Sequence, residues 1–112
     1  MRVLIDESLP RGLARHLPQG EIETVFDRGW SGLKNGDLLR LASEEFDAFR
    51  TADQNLRYQQ NLTGFNIGVV VLAAISNRLE DLLLFAEAEA ACRSIRPGEV
   101  RVVGQAHRSG AS

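Results

Sequence analysis

Apolar residues fall in short blocks along this chain, and the blocks alternate between continuous runs and helical spacing. Val3-Leu4-Ile5 is a continuous run, as a strand buried on both faces of a parallel sheet requires. Leu9, Leu13, Ala14 and Leu17 then recur at helical spacing. Ser8 can cap that first helix, Pro10 sits just inside it, and Pro18-Gln19-Gly20 stops it. Ile22 to Phe26 reads as a second strand, and Asp27 to Asn35 as a glycine-containing loop. A second helix runs from about Gly36 to Glu45, with Leu38, Leu39, Leu41 and Ala42 on its apolar face. Strand three is Asp47 to Thr51, followed by a short helix to about Leu62. Ile67 to Leu72 is a valine-rich fourth strand. Ser76-Asn77 caps a long helix from Arg78 to about Ser94, Pro97-Gly98 breaks it, and Val100 to Val103 is a fifth strand.

Strands alternating with helices imply an α/β fold with a mainly parallel sheet and right-handed crossovers. The expected architecture is one three-layer domain over residues 1–103 with strand order 2-1-3-4-5, leaving 104–112 as a small, polar tail that frays. In that order strands one and three are neighbours at the switch point, where such sheets hold ligands at their carboxyl edge.

Composition changes the picture little. The 112 residues suit one core, and 44% apolar with 25% charged residues describe an ordinary globule. A net charge of −2 denies the chain the broad basic face of a sequence-reading DNA binder. Its cations are arginines apart from Lys34, which suits phosphate geometry but also fits plain compositional bias. Cys92 is the single cysteine, so neither a disulfide framework nor a cysteine-rich metal site is expected. The start of the chain lacks the pattern of a signal peptide. The apolar runs Gly68 to Ile75 and Leu82 to Cys92 are too short or too acidic to span a bilayer. The expectation is a cytoplasmic protein without membrane partners.

The chemistry lies in the acids at strand ends. Asp6-Glu7 follows strand one, and Asp53 follows strand three within Thr51-Ala52-Asp53-Gln54-Asn55. Asp53 taken alone reads equally well as the cap of the next helix. Two like charges a few ångströms apart repel by several kcal/mol at an intermediate dielectric, which a divalent cation relieves. Hard oxygen ligands favour Mg²⁺ or Mn²⁺. Asp37, in the first turn of the second helix, is the expected third acid, or else a residue complementing the helix dipole. Glu7 and Asn55 are second choices, as water-positioning or capping groups. Lys34, Arg57 and Arg78 stand in or near loops at this edge and are candidates for substrate phosphates, each with a solvated role as its alternative. Trp30 either stacks on a base or anchors its loop.

These segments resemble the PIN-like nucleases, in particular the short bacterial branch related to the Mut-seven C-terminal domain. Met-Arg-Val-Leu-Ile-Asp-Glu-Ser-Leu-Pro is similar to that branch's opening strand, and Gly32 to Leu39 followed by Ala42 to its second motif. Thr51-Ala52-Asp53 resembles its Thr-x-Asp motif, and Ser76 to Leu82 the start of its last long helix. The resemblance covers roughly residues 1–103. It implies Mg²⁺- or Mn²⁺-dependent cleavage of RNA, usually by the toxin of a toxin–antitoxin pair, with Asp6 and Asp53 as metal ligands. Candidate partners are therefore an RNA substrate and a cognate antitoxin protein, and a second copy of the chain is a third. Asn35 stands where the family usually has an acid, with Asp37 at its other common acid position. The alternative is thus a catalytically inactive PIN-like module that binds protein or nucleic acid. A receiver-type signalling domain shares the acid placement, but its mechanism needs a lysine after strand five, and none follows Lys34.

Arg50 departs from the pattern, since an arginine in a doubly covered central strand must be compensated. It should pair with a carboxylate or lie at a face left open for a partner.

Overall fold

The chain lays its second strand on one side of the first and its third on the other, so strand order reverses beside β1. The computed structural model describes residues 2–9, 22–53, 55–56, 61–73, 87–88 and 90–104. Its strands are β1 (Val3–Ile5), β2 (Ile22–Thr24), β3 (Ala48–Thr51), β4 (Gly68–Leu72) and β5 (Val100–Val103). All neighbours pair in parallel in the order β2-β1-β3-β4-β5, as expected from the sequence. The radius of gyration, 13.2 Å, is that of one domain of this length.

Burial follows position in the sheet. All five residues of β4 are buried, whereas the edge strands β2 and β5 are mostly half-buried. β-branched valines fit the pleated, doubly covered centre. Alternation splits the core in two. Leu4, Phe49, Val69 and Val71 face one way, where Leu38, Leu39 and Ala42 cover them. Val3, Ile5, Ala48, Val70 and Leu72 face the other, against Ala88, Ala91 and Cys92. The first group of cover residues belongs to helix α1 (Asn35–Glu45), the second to helical residues 87–88 and 90–94. Among the described residues, no helix is long and apolar enough to cross a membrane.

Several boundaries and faces differ from expectation. Strand two ends at Thr24 rather than Phe26, because Thr24 turns the chain: its hydroxyl accepts from Asp27 N–H at 3.0 Å and its carbonyl from Arg28 N–H at 3.1 Å. Phe26, beyond that turn, is 55% exposed. Leu41, expected on the apolar face of α1, is 37% exposed; Leu38, Leu39 and Ala42 make the buried stripe without it. Asp47 precedes β3 rather than opening it, its carboxylate accepting Arg2 N–H at 2.7 Å. The expected first helix beyond Leu9, most of the helix after Asp53, residues 78–86 and the tail beyond 104 lie outside the described residues.

Trp30 anchors its loop. It packs against the α1-side core, meets Phe46 edge-on at 6.3 Å, and carries the Arg28 guanidinium 4.7 Å from its ring. Arg28 also pairs with Glu23 and Glu45, joining β2 to the end of α1.

Arg50 is in register with Ile5 on one side and Val70 on the other, so β3 is central. It is only 1% exposed. Neither expected environment is found among the described residues: the face is covered, and the partner is Cys92 Sγ rather than a carboxylate. Cys92 takes that place because helical residues 90–94 lay it over the middle of the sheet.

Candidate functional site

β1 and β3 run side by side in register, Ile5 opposite Arg50, so the residues after each strand emerge together. Asp6 leaves β1 there, its backbone N–H held by Arg50 O at 2.9 Å. Thr51 ends β3, fully buried, and Asp53 follows two residues later. The order of the sheet reverses at this pair of strands, the place where open α/β sheets commonly hold ligands.

Two hydroxyls tie the Asp6 carboxylate to the backbone that follows β3. Thr51 Oγ1 donates to Asp6 Oδ2 at 2.8 Å and accepts Asp53 N–H at 3.0 Å. Ser8 Oγ donates to the same Asp6 oxygen at 2.6 Å and accepts Ala52 N–H at 3.0 Å. The two hydroxyl oxygens are 3.3 Å apart. Asp53 Oδ1 accepts Asn55 N–H at 2.9 Å, the capping bond that was its alternative role. Capping occupies a single oxygen, so both functions fit one carboxylate. Among the described residues no hydrogen bond reaches Asp6 Oδ1 or Asp53 Oδ2.

The other expected site residues separate. Asp37 is exposed on the first turn of α1 and pairs with Arg40 at 3.1 Å, an i,i+3 contact that fits its dipole role. Nothing in the described network joins it to Asp6 or Asp53. Asn35 opens α1 half-buried, and Lys34 is exposed at the N-cap position without a side-chain capping bond. Glu7 is exposed beside Asp6, and Asn55 contributes its backbone rather than a mapped side-chain contact. Arg57 and Arg78 lie outside the described residues. Among those residues, no group of three or more His, Cys, Asp or Glu is arranged to hold a metal.

Neither Ser8 nor Thr51 is among the site residues expected from the sequence, where Ser8 reads as a helix cap and Thr51 enters only as part of the Thr-x-Asp segment. Their signal was present as mirrored spacing: a hydroxyl two residues after Asp6 and another two before Asp53. A concavity of about 400 Å³ lies elsewhere, lined by Glu44, Glu45, Asp47 and Asn66 among others, and includes none of the candidate acids. No protein-family model, curated protein or solved structure matches the chain.

Proposed function

We infer that the protein is a metal-dependent ribonuclease of the PIN-like kind, built on Asp6 and Asp53. The observation that carries this reading is the Thr51 bridge from the Asp6 carboxylate to the Asp53 backbone N–H at the order reversal. Two acids leaving neighbouring strands at one edge suit a hard cation such as Mg²⁺ or Mn²⁺, which relieves the repulsion between like charges. Asp6 and Asp53 would hold that ion, which supplies activation of a water and stabilisation of the charge developing on a phosphodiester. Ser8 and Thr51 fix the Asp6 carboxylate so that its open oxygen faces a constant direction. Lys34, Arg57 and Arg78 are the proposed phosphate contacts, and Asn35 or Asp37 a water-mediated third group. The toxin of a toxin–antitoxin pair in the cytoplasm is the biological role the resemblance suggests.

A second reading has its own support in the Asp37–Arg40 ion pair, which commits the expected third acid elsewhere. That favours a PIN-like module that binds its partner without cutting it. Mn²⁺ titration by calorimetry, together with an RNA cleavage assay, separates the two. Metal binding and cleavage, both lost in Asp53→Asn with the circular dichroism spectrum unchanged, support the nuclease. Metal binding without cleavage leaves the module, and cleavage undiminished in Asp53→Asn removes the metal assignment.

A further inference from the structure

The loop between β2 and α1 is tied to the far end of the helix it leads into, and one arginine makes the tie. Arg28 Cζ lies 4.7 Å from the Trp30 ring centre and 5.6 Å from that of Phe46. The same guanidinium pairs with Glu23 at 3.5 Å and with Glu45. The Arg28 side chain is 24% exposed, so salt screens these contacts only in part. Trp30 belongs to the loop ahead of α1, whereas Glu45 ends the helix and Phe46 caps it. One cation therefore closes a ring that runs through Trp30, Lys34 at the N-cap position, α1 and Glu45. A guanidinium can do this because it stacks on aromatic faces while its edge donates to carboxylates.

That ring sets where Lys34 stands. The end of α1 is fixed at the amino edge of the sheet, where Glu45 O accepts from Arg2 Nη1 at 3.1 Å and Arg2 O accepts Asp47 N–H at 2.7 Å. The 11 residues of α1 cover about 16 Å, more than the 3 residues of β1 or the 4 of β3 span. The start of the helix therefore lies toward the carboxyl edge, where Asp6 and Asp53 leave the sheet. Leu33 N–H donates to Trp30 O at 3.2 Å just before Lys34. The loop turns at Gly29 and Gly32, whose φ angles of 75° and 86° lie in the left-handed region. Glycine gives a chain its greatest backbone freedom, so the shape of this loop rests on what clamps it.

We propose that Arg28 is a positioning residue, which latches the loop of residues 27–34 so that Lys34 is presented to an RNA phosphate at the Asp6–Asp53 edge. The ligand in this inference rests on the ribonuclease reading, and Arg28 itself touches no RNA. Opening the latch leaves the two acids in place, since they follow β1 and β3, but it frees the cation that meets the nucleic-acid backbone.

Trp30 is the only tryptophan of the chain, so its fluorescence reports on the latch directly. In Arg28→Met its emission should shift to the red, and acrylamide should quench it more. Affinity for a labelled RNA oligonucleotide, read by anisotropy in EDTA so that nothing is cut, should fall about threefold to tenfold, the effect of one cation–π contact or partly exposed ion pair. Mn²⁺ affinity by calorimetry should stay unchanged. The deciding comparison is with Lys34→Met, in whose background Arg28→Met should cost no further RNA affinity. Additive losses would make Arg28 an RNA contact or a general stabiliser and overturn the proposal, as would unchanged emission or unchanged RNA affinity. Should Arg28→Met not fold, Glu45→Gln opens the same latch from the helix end and is read in the same way. Where wild type binds RNA but does not cut it with Mn²⁺, the ribonuclease reading fails and these same readings still decide the latch. Where wild type binds no RNA, both fall.

Discussion

Thr51 Oγ1 stands 2.8 Å from Asp6 Oδ2 and donates its proton there, so the carboxylate after β1 is held by the last residue of β3. The same oxygen accepts Asp53 N–H. Thr51→Val keeps the shape and removes both bonds, leaving a partly buried N–H without an acceptor. A loss of about 1–3 kcal/mol is expected in urea melts, and Thr51→Ser should recover most of it. An unchanged melt for Thr51→Val would show that water replaces the hydroxyl and that the bridge has little energetic weight.

Ser8 tests positioning without a large stability effect, since it is exposed. Its hydroxyl orients Asp6 and can be replaced by water in the fold, though less well in aim. Ser8→Ala should weaken Mn²⁺ binding by about 10–100-fold, the usual effect of losing a group that orients a ligand, with little change in melting. Calorimetry on the two proteins measures this. Equal affinities would assign Ser8 to the local turn alone.

Gly68 begins β4 where the covering chain comes closest. A Cβ there would lie 2.5 Å from Ile95 Cγ2 and 3.1 Å from the Arg96 carbonyl oxygen. The isoleucine can turn aside, but the backbone carbonyl yields less readily. Gly68→Ala should cost about 1–3 kcal/mol as overpacking. Ile95→Ala combined with it should be less harmful than the sum of the single changes, a coupling that a double-mutant cycle reads.

Glu99 supplies a test of pH dependence. Acceptance of the Arg96 backbone N–H, and then the hydrogen bond and charge of Arg101, hold its carboxyl below the usual value of 4.5. A depressed folded value means that the carboxylate stabilises the native state fully above 4.5, and that this contribution disappears as pH falls through the lower folded value. Denaturant midpoints for wild type and Glu99→Gln should differ near neutrality and converge in acid. Parallel curves throughout the acid range would contradict the assignment.

What the sequence determined by itself was periodicity and placement. Continuous apolar runs at Val3–Ile5 and Gly68–Leu72 require strands buried on both faces, and the alternation with helical spacing requires parallel pairing. Strand order was expected from the placement of the acids at a switch point, and the sheet has that order, with Asp6 and Asp53 leaving neighbouring strands. Periodicity also marks which side of a helix is apolar, but Leu41 shows that the width of the buried stripe depends on what packs against it. Tertiary structure alone decided how the site is wired and how Arg50 is accommodated. Ser8 lies 43 residues from Thr51, and Arg50 lies 42 from Cys92. A hydrogen bond needs a donor and an acceptor about 3 Å apart, a condition that spacing along the chain cannot state and that only the completed sheet and its covering helices impose.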